Sequence, residues 1–87
     1  MLEKSLEQKC CSYAKSQGWF SSKFVSPSNA GVPDRIFIKD GKVLFVEFKA
    51  EGQKLRKLQS FMIATMRLYG ANVRVCDNFS EFKELIA

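Results

Sequence analysis

Asp40 and Gly41 constrain this chain more than any other pair of residues. They separate residues 35–39 from residues 42–49, two runs rich in Ile, Phe and Val. Asp-Gly between such runs is a strong hairpin signal, because the two-residue type I′ loop needs positive φ at both central positions and its twist matches that of paired strands. A two-residue loop also sets the register. Lys39 falls opposite Lys42, Ile38 opposite Val43, Phe37 opposite Leu44, Ile36 opposite Phe45 and Arg35 opposite Val46. One step further, Asp34 meets Glu47. Side chains alternate with period two, so Lys49 shares the face of Glu47. Asp34, Glu47 and Lys49 are therefore predicted to converge, with directly opposed Cβ atoms about 4.5–5.5 Å apart. A one-residue slip would put the two acids on opposite faces.

The rest of the chain supplies helices around this hairpin. Leu2, Leu6, Cys10, Tyr13 and Ala14 recur at helical spacing over residues 2–17, and Gly18 is placed to end that helix. The segment after Gly18 mixes aromatic and small polar residues, with a short strand expected at 23–25. Ser26-Pro27-Ser28-Asn29-Ala30-Gly31 has the composition of a loop. A second helix is predicted over residues 54–69. Leu55, Leu58, Met62, Met66 and Tyr69 form one of its stripes, and Phe61, Ala64 and Leu68 form another beside it. So broad an apolar surface implies burial on more than one side. A strand at 73–76 and a helix opened by Asn78 complete the order α-β-β-β-α-β-α. The expected fold class is α/β, a small mixed central sheet flanked by helices. Eighty-seven residues suffice for one hydrophobic core, so residues 1–87 are read as a single domain.

Charge and composition narrow the chemistry. Lys and Arg number 14 against 9 Asp and Glu, an excess that suits an anionic partner, nucleic acid or an acidic membrane surface, or else a solvated basic surface with no partner. The chain has no His, which excludes histidine-based catalysis and His-containing zinc sites. Cys10, Cys11 and Cys76 are odd in number and lack CxxC spacing, so they read as reduced thiols rather than a disulfide frame. No apolar run approaches a membrane span, and the N-terminus lacks the apolar stretch of a signal peptide. The expected location is the cytoplasm, with no secretion and no membrane partner.

Two carboxylates facing each other repel, and a buried uncompensated carboxylate costs several kcal/mol. Within residues 43–48 Glu47 is the one residue that is not apolar. A hard divalent cation resolves the conflict, since Mg²⁺ takes carboxylate oxygens together with water and phosphate. The competing reading is that Asp34 caps the start of its strand and that Glu47 and Lys49 form a plain surface pattern. Local chemistry accounts for two neighbours as well. Pro33 pushes Val32 toward an extended conformation and presents Asp34 at the strand start, while Gly31 permits a turn or a close backbone approach to a ligand.

Gly31-Val32-Pro33-Asp34-Arg35, then Val46-Glu47-Phe48-Lys49, then Leu55-Arg56-Lys57-Leu58-Gln59, in this order and spacing, resemble the VRR-NUC domain, a branch of the PD-(D/E)xK nucleases. The resemblance extends from Glu7 on the first helix to the closing strand and helix. It implies a restriction-endonuclease-like fold and a structure-specific endonuclease that uses Mg²⁺ or Mn²⁺ to hydrolyse DNA. Short stand-alone members, often from phages, resemble Holliday-junction resolvases and act as homodimers. Carried onto this chain, Asp34 and Glu47 match the metal-ligating acids, and Phe48 matches the residue that offers its backbone carbonyl. Lys49 matches the catalytic lysine and Gln59 a helix residue facing the site. Glu7 matches the glutamate of the first helix, a further candidate ligand.

The implied substrate is DNA, branched or four-way, with 5′-phosphate and 3′-hydroxyl products. Candidate backbone contacts are Lys23, Arg35, Lys39, Lys42, Lys54, Arg56 and Lys57, with Ser26 and Asn29 in the loop. A homodimer is expected to bury part of residues 55–69 or the aromatic segment after Gly18. The alternatives are a nicking or restriction-type nuclease on the same fold, and a non-catalytic DNA-binding module or subunit of a larger nuclease assembly.

Overall fold

The computed structural model describes residues 2–87. Helix α1 (Glu3–Ser16) leads into strands β1 (Phe20–Lys23), β2 (Arg35–Lys39) and β3 (Lys42–Phe48). Helix α2 (Lys57–Leu68), strand β4 (Val73–Cys76) and helix α3 (Phe79–Leu85) follow. The four strands form one sheet in the order β1-β2-β3-β4, antiparallel across the first two pairings and parallel across β3–β4. This is the mixed α/β architecture expected.

The hairpin forms in the register that its turn dictates. Asp40 and Gly41 both adopt positive φ, 50° and 79°, and the pairing runs from Lys39↔Lys42 to Arg35↔Val46. At the end of α1 the chain reverses through Gly18 at φ 87°, and Asn78 opens α3 by accepting a hydrogen bond from the Glu81 N–H at 2.8 Å.

Two boundaries differ from expectation. The first strand is Phe20–Lys23 rather than residues 23–25, because its register comes from β2: Phe20 pairs with Ile38 and Lys23 with Arg35. The Phe24 N–H closes that pairing on the Asp34 carbonyl at 2.9 Å, and the loop begins beyond it. Helix α2 starts at Lys57 rather than residue 54. The Gln59 side chain accepts from the Arg56 N–H at 2.9 Å, capping the helix there and leaving Leu55 in the connecting segment.

The sheet has two unlike faces. On one, Phe37, Leu44, Val46 and Phe48 pack against Leu6, Cys10 and Ala14 of α1 and against Phe82 and Ile86 at the closing helix, all buried. On the other, α2 packs chiefly along β4, with Ile63 and Val73 buried between them. Burial of α2 on more than one side is not what the single chain shows. Only Gln59 and Ile63 of this helix are buried, whereas Leu58, Phe61 and Leu68 are exposed.

Candidate functional site

The site lies where β2 begins and β3 ends, on the sheet face that α2 partly covers. Asp34 occupies the step just beyond the last β2–β3 pair, opposite Glu47, as the hairpin register requires. Pro33 is buried immediately before it, and the carboxylate is fixed from across the ladder. Asp34 Oδ2 accepts a hydrogen bond from the Phe48 N–H at 2.9 Å. Phe48 thus has a visible task, orienting Asp34 through its amide.

Glu47 is 1% exposed and Lys49 4%, an arrangement that a plain surface pattern does not produce. Glu47 Oε2 faces the Lys49 ammonium at 3.6 Å and accepts from Gln59 Nε2 at 3.1 Å. The Gln59 amide is held at both ends, since its oxygen caps α2 while its nitrogen reaches Glu47. The other oxygen, Glu47 Oε1, is buried and has no hydrogen-bond partner. A buried carboxylate oxygen left bare is costly unless something else occupies its lone pairs.

A third carboxylate completes the cluster. One oxygen each from Glu3, Asp34 and Glu47 lie within 4.8 Å of one another, a spacing that one small cation can bridge. Burial foremost, and then the charge of Asp34, pushes the Glu47 carboxyl up to about 7; the Lys49 ammonium opposes this. Burial likewise raises Asp34, opposed by the Phe48 N–H and reinforced by Glu7 and Glu3. Three oxygen donors of one sign, a bare buried oxygen and no thiol or imidazole among them make a set that fits a hard divalent cation such as Mg²⁺.

Glu3 of the first helix joins the cluster, while the expected Glu7 stands near enough to Asp34 to raise its carboxyl. The Glu7 carboxylate is taken by Arg35, whose Nε donates at 2.7 Å. The same ion pair engages Arg35, and Lys39 donates to the Gln17 carbonyl at 2.8 Å, so two expected DNA contacts have internal partners. Glu3 and Glu7 sit one turn apart on α1, so helical spacing alone could not choose between them.

Beside the acids opens a cleft of about 390 Å³ lined by Gly31, Val32, Asp34, Arg56, Leu58 and Gln59, together with Ala30. Gly31 forms its floor at φ 83°, and a Cβ there would lie 2.6 Å from the Leu58 carbonyl oxygen. The close approach here is to the backbone of the first turn of α2 rather than to a ligand. Lys54, Arg56 and Lys57 are exposed around this turn, with Arg56 lining the cleft itself. Ser26 and Asn29 hold the loop's own shape, the Asn29 N–H donating to Ser26 Oγ at 3.2 Å. Lys23 and Lys42 are exposed on the strands.

Residues 4–79 match the VRR-NUC domain family. The chain is 39% identical over 77 residues to a protein named "Putative nuclease p44" from Acyrthosiphon pisum secondary endosymbiont phage 1, covering 87% of this chain and 83% of that protein. It also superposes on a solved structure described as a VRR_NUC domain with a TM-score of 0.87 at 27% identity, covering 97% of this chain and 92% of the other. The match spans the loop and hairpin that carry Asp34 and Glu47 and the helix that carries Gln59, and the chain belongs to the VRR-NUC domain family.

Proposed function

We propose that this protein is a divalent-cation-dependent endonuclease that hydrolyses phosphodiester bonds in DNA, with branched or four-way DNA as its preferred substrate. The observation that carries this reading is the bare, buried Glu47 Oε1 within a cluster of three converging carboxylates. Asp34, Glu47 and Glu3, with the Phe48 carbonyl, would hold Mg²⁺ or Mn²⁺. When bound, the cation supplies a Lewis acid for a phosphate oxygen and acidifies water.

The remaining steps belong to the chain itself. Lys49 offsets part of the cluster's negative charge in a nearly water-free position, where an ammonium is worth far more than at the surface. The same group stabilises the negative charge that develops on the phosphate and orients the attacking water. Gln59 prevents Glu47 from rotating, since one end of its amide is pinned to the backbone of α2. Arg56 lines the open side of the cleft and meets the DNA backbone there with Lys54 and Lys57. A non-catalytic binding module would have no use for a buried Glu47–Lys49 pair, which exposed residues could replace at no energetic cost.

A homodimer is part of the proposal. Leu58, Phe61, Thr65 and Leu68 recur on the stripe of α2 turned away from Gln59 and Ile63. Leu68 and Tyr69 are 83% and 87% exposed, and Phe20 and Val43 stand open on the strands. Resolving a junction takes two symmetry-related nicks, which a twofold dimer supplies.

The test is cleavage of a four-way junction, a flap and a linear duplex, in Mg²⁺ and in EDTA. The parent is expected to cut only with the cation and to favour the junction, and Asp34→Ala is expected to fall to background while still binding DNA. Cleavage in EDTA, or an Asp34→Ala protein as fast as the parent, would overturn the mechanism.

A further inference from the structure

A second cleft of about 200 Å³ lies at the opposite end of α2, lined by Arg67, Ala71, Asn72, Val73 and Arg74. Both arginines are held in place by neutral oxygens. Arg67 Nε and Nη2 donate to the Val73 carbonyl at 3.0 and 2.7 Å, and Arg74 Nε donates to Asn72 Oδ1 at 3.1 Å. Neither forms an ion pair among the described residues, where the salt bridges are Arg35–Glu7 and Lys49–Glu47. Two guanidinium groups thus line one small cleft, fixed in position, with their charge unspent and donor N–H groups to spare. A phosphate monoanion is the ligand that such forks fit best, because it accepts several charge-assisted hydrogen bonds at once.

The position of this cleft relative to the acidic site indicates which phosphate it takes. Arg56 borders the acidic cleft and Arg67 the second one. They are separated by three turns of helix and share one flank of α2, with only Ser60 and Ala64 between them on that flank. At 1.5 Å per residue the separation is about 16 Å. One strand advances about 3.4 Å along the duplex axis per nucleotide while it winds around that axis, so a strand facing this flank covers the span in a few nucleotides. Resting on the nuclease reading above, we infer that the Arg67–Arg74 cleft binds a DNA backbone phosphate a few nucleotides from the bond being cut. The substrate then runs along the flank of α2, from its first turn to its last.

The test compares the parent, Arg74→Glu and Lys15→Glu for binding to a duplex of about twenty base pairs in EDTA, across a salt series. Lys15 is exposed near the end of α1, and its reversal makes the same change in net charge. Arg74→Glu is expected to raise Kd several-fold beyond the Lys15→Glu control and to make the log–log salt slope shallower by about one unit, as loss of one phosphate contact requires. Should Arg74→Glu fail to fold, Arg74→Gln removes the charge while keeping a hydrogen-bonding partner for Asn72, and it should move the slope in the same direction. A slope equal to that of the control overturns the inference while leaving the nuclease reading intact. A parent that binds no DNA at all overturns both. Titration with inorganic phosphate, followed through the Asn72 and Arg74 amide resonances, separates the remaining case. Shifts there with an unchanged DNA slope mean that the cleft takes free phosphate, and they too overturn the inference.

Discussion

On the side of α1 and α3, strand β3 offers Leu44, Val46 and Phe48, and each meets an apolar partner: Phe37 beside it, Leu6 and Cys10 above, Phe82 across. On the side of α2 the same strand offers Phe45 and Glu47, with Lys49 one residue beyond its end. There the strand meets a carboxylate cluster and an amide, with part of the sheet left open. Seven residues of backbone therefore serve two purposes through side-chain alternation alone. The closed face supplies the stability of a small domain. The open face can keep a bare carboxylate oxygen and a buried lysine because the opposite face fixes the strands that carry them. Groups that would be errors in a core are held with the accuracy of one.

If this division is right, mutations on the two faces should separate cleanly. The largest stability effect belongs to the closed face. Phe82→Ala removes a ring packed at a tilt with its centroid 5.3 Å from that of Phe37 and 6.0 Å from that of Phe48, and it should cost about 3–5 kcal/mol in denaturant unfolding. Phe61→Ala, on the outer stripe of α2, should change single-chain stability by less than about 0.5 kcal/mol and instead weaken self-association measured by light scattering. Equal destabilisation by both would erase the distinction.

Gln59→Ala sharpens the comparison from the open side. With Glu47 released from its amide partner, cleavage should fall about 10- to 100-fold, the range typical for residues that orient a ligand, and Mg²⁺ affinity should fall with it. The melting temperature should move little by comparison. A variant that melts far lower yet cuts at the parental rate once folded would make Gln59 a helix cap alone.

The smallest of these effects is a dependence on pH. Burial raises both Glu47, to about 7, and Asp34 above their ordinary values, so the folded chain binds protons more tightly than the unfolded chain in this range. Stability in EDTA should therefore decline as pH rises from the usual carboxylate range through about 7. A divalent cation competes with those protons, so its apparent affinity should climb over the same interval. Denaturant melts at pH 5 and pH 8 check the first expectation, and isothermal titration the second. Stability in EDTA that rises with pH would mean that other groups outweigh the cluster.

How much of this was legible beforehand depended on whether local chemistry or distant pairing decides each feature. Asp40-Gly41 carries its own geometry, so the hairpin, its register and the meeting of Asp34 with Glu47 could be read from the sequence. Asn78 announces α3 for the same reason. Phe20-Ser21-Ser22-Lys23 shows no alternation worth reading, because an edge strand with no buried residue takes its register from β2. The start of α2 depends on a side chain three residues beyond Arg56, where Gln59 caps the helix and bonds Glu47 at once. Glu3 was not among the acids expected at the cluster, and finding it needed the placement of α1 against the sheet. Glu7, one turn further on, is paired with Arg35.

The central claim is that Asp34 stands in the cluster as a cation ligand held against its own repulsion. Thermal melting of the parent and Asp34→Asn at pH 8, each in EDTA and in excess Mg²⁺, tests it most directly. The substitution keeps an oxygen for the Phe48 N–H and leaves the Glu47–Lys49 pair in place, so it removes charge and little else. Asp34→Asn should melt higher than the parent in EDTA. It should also lose most of the Mg²⁺-induced rise, which for the parent corresponds to about 2.7 kcal/mol at a hundredfold excess over Kd. A variant that melts lower in EDTA and keeps the full Mg²⁺ rise would contradict the claim, and Asp34 would be a strand cap rather than a ligand.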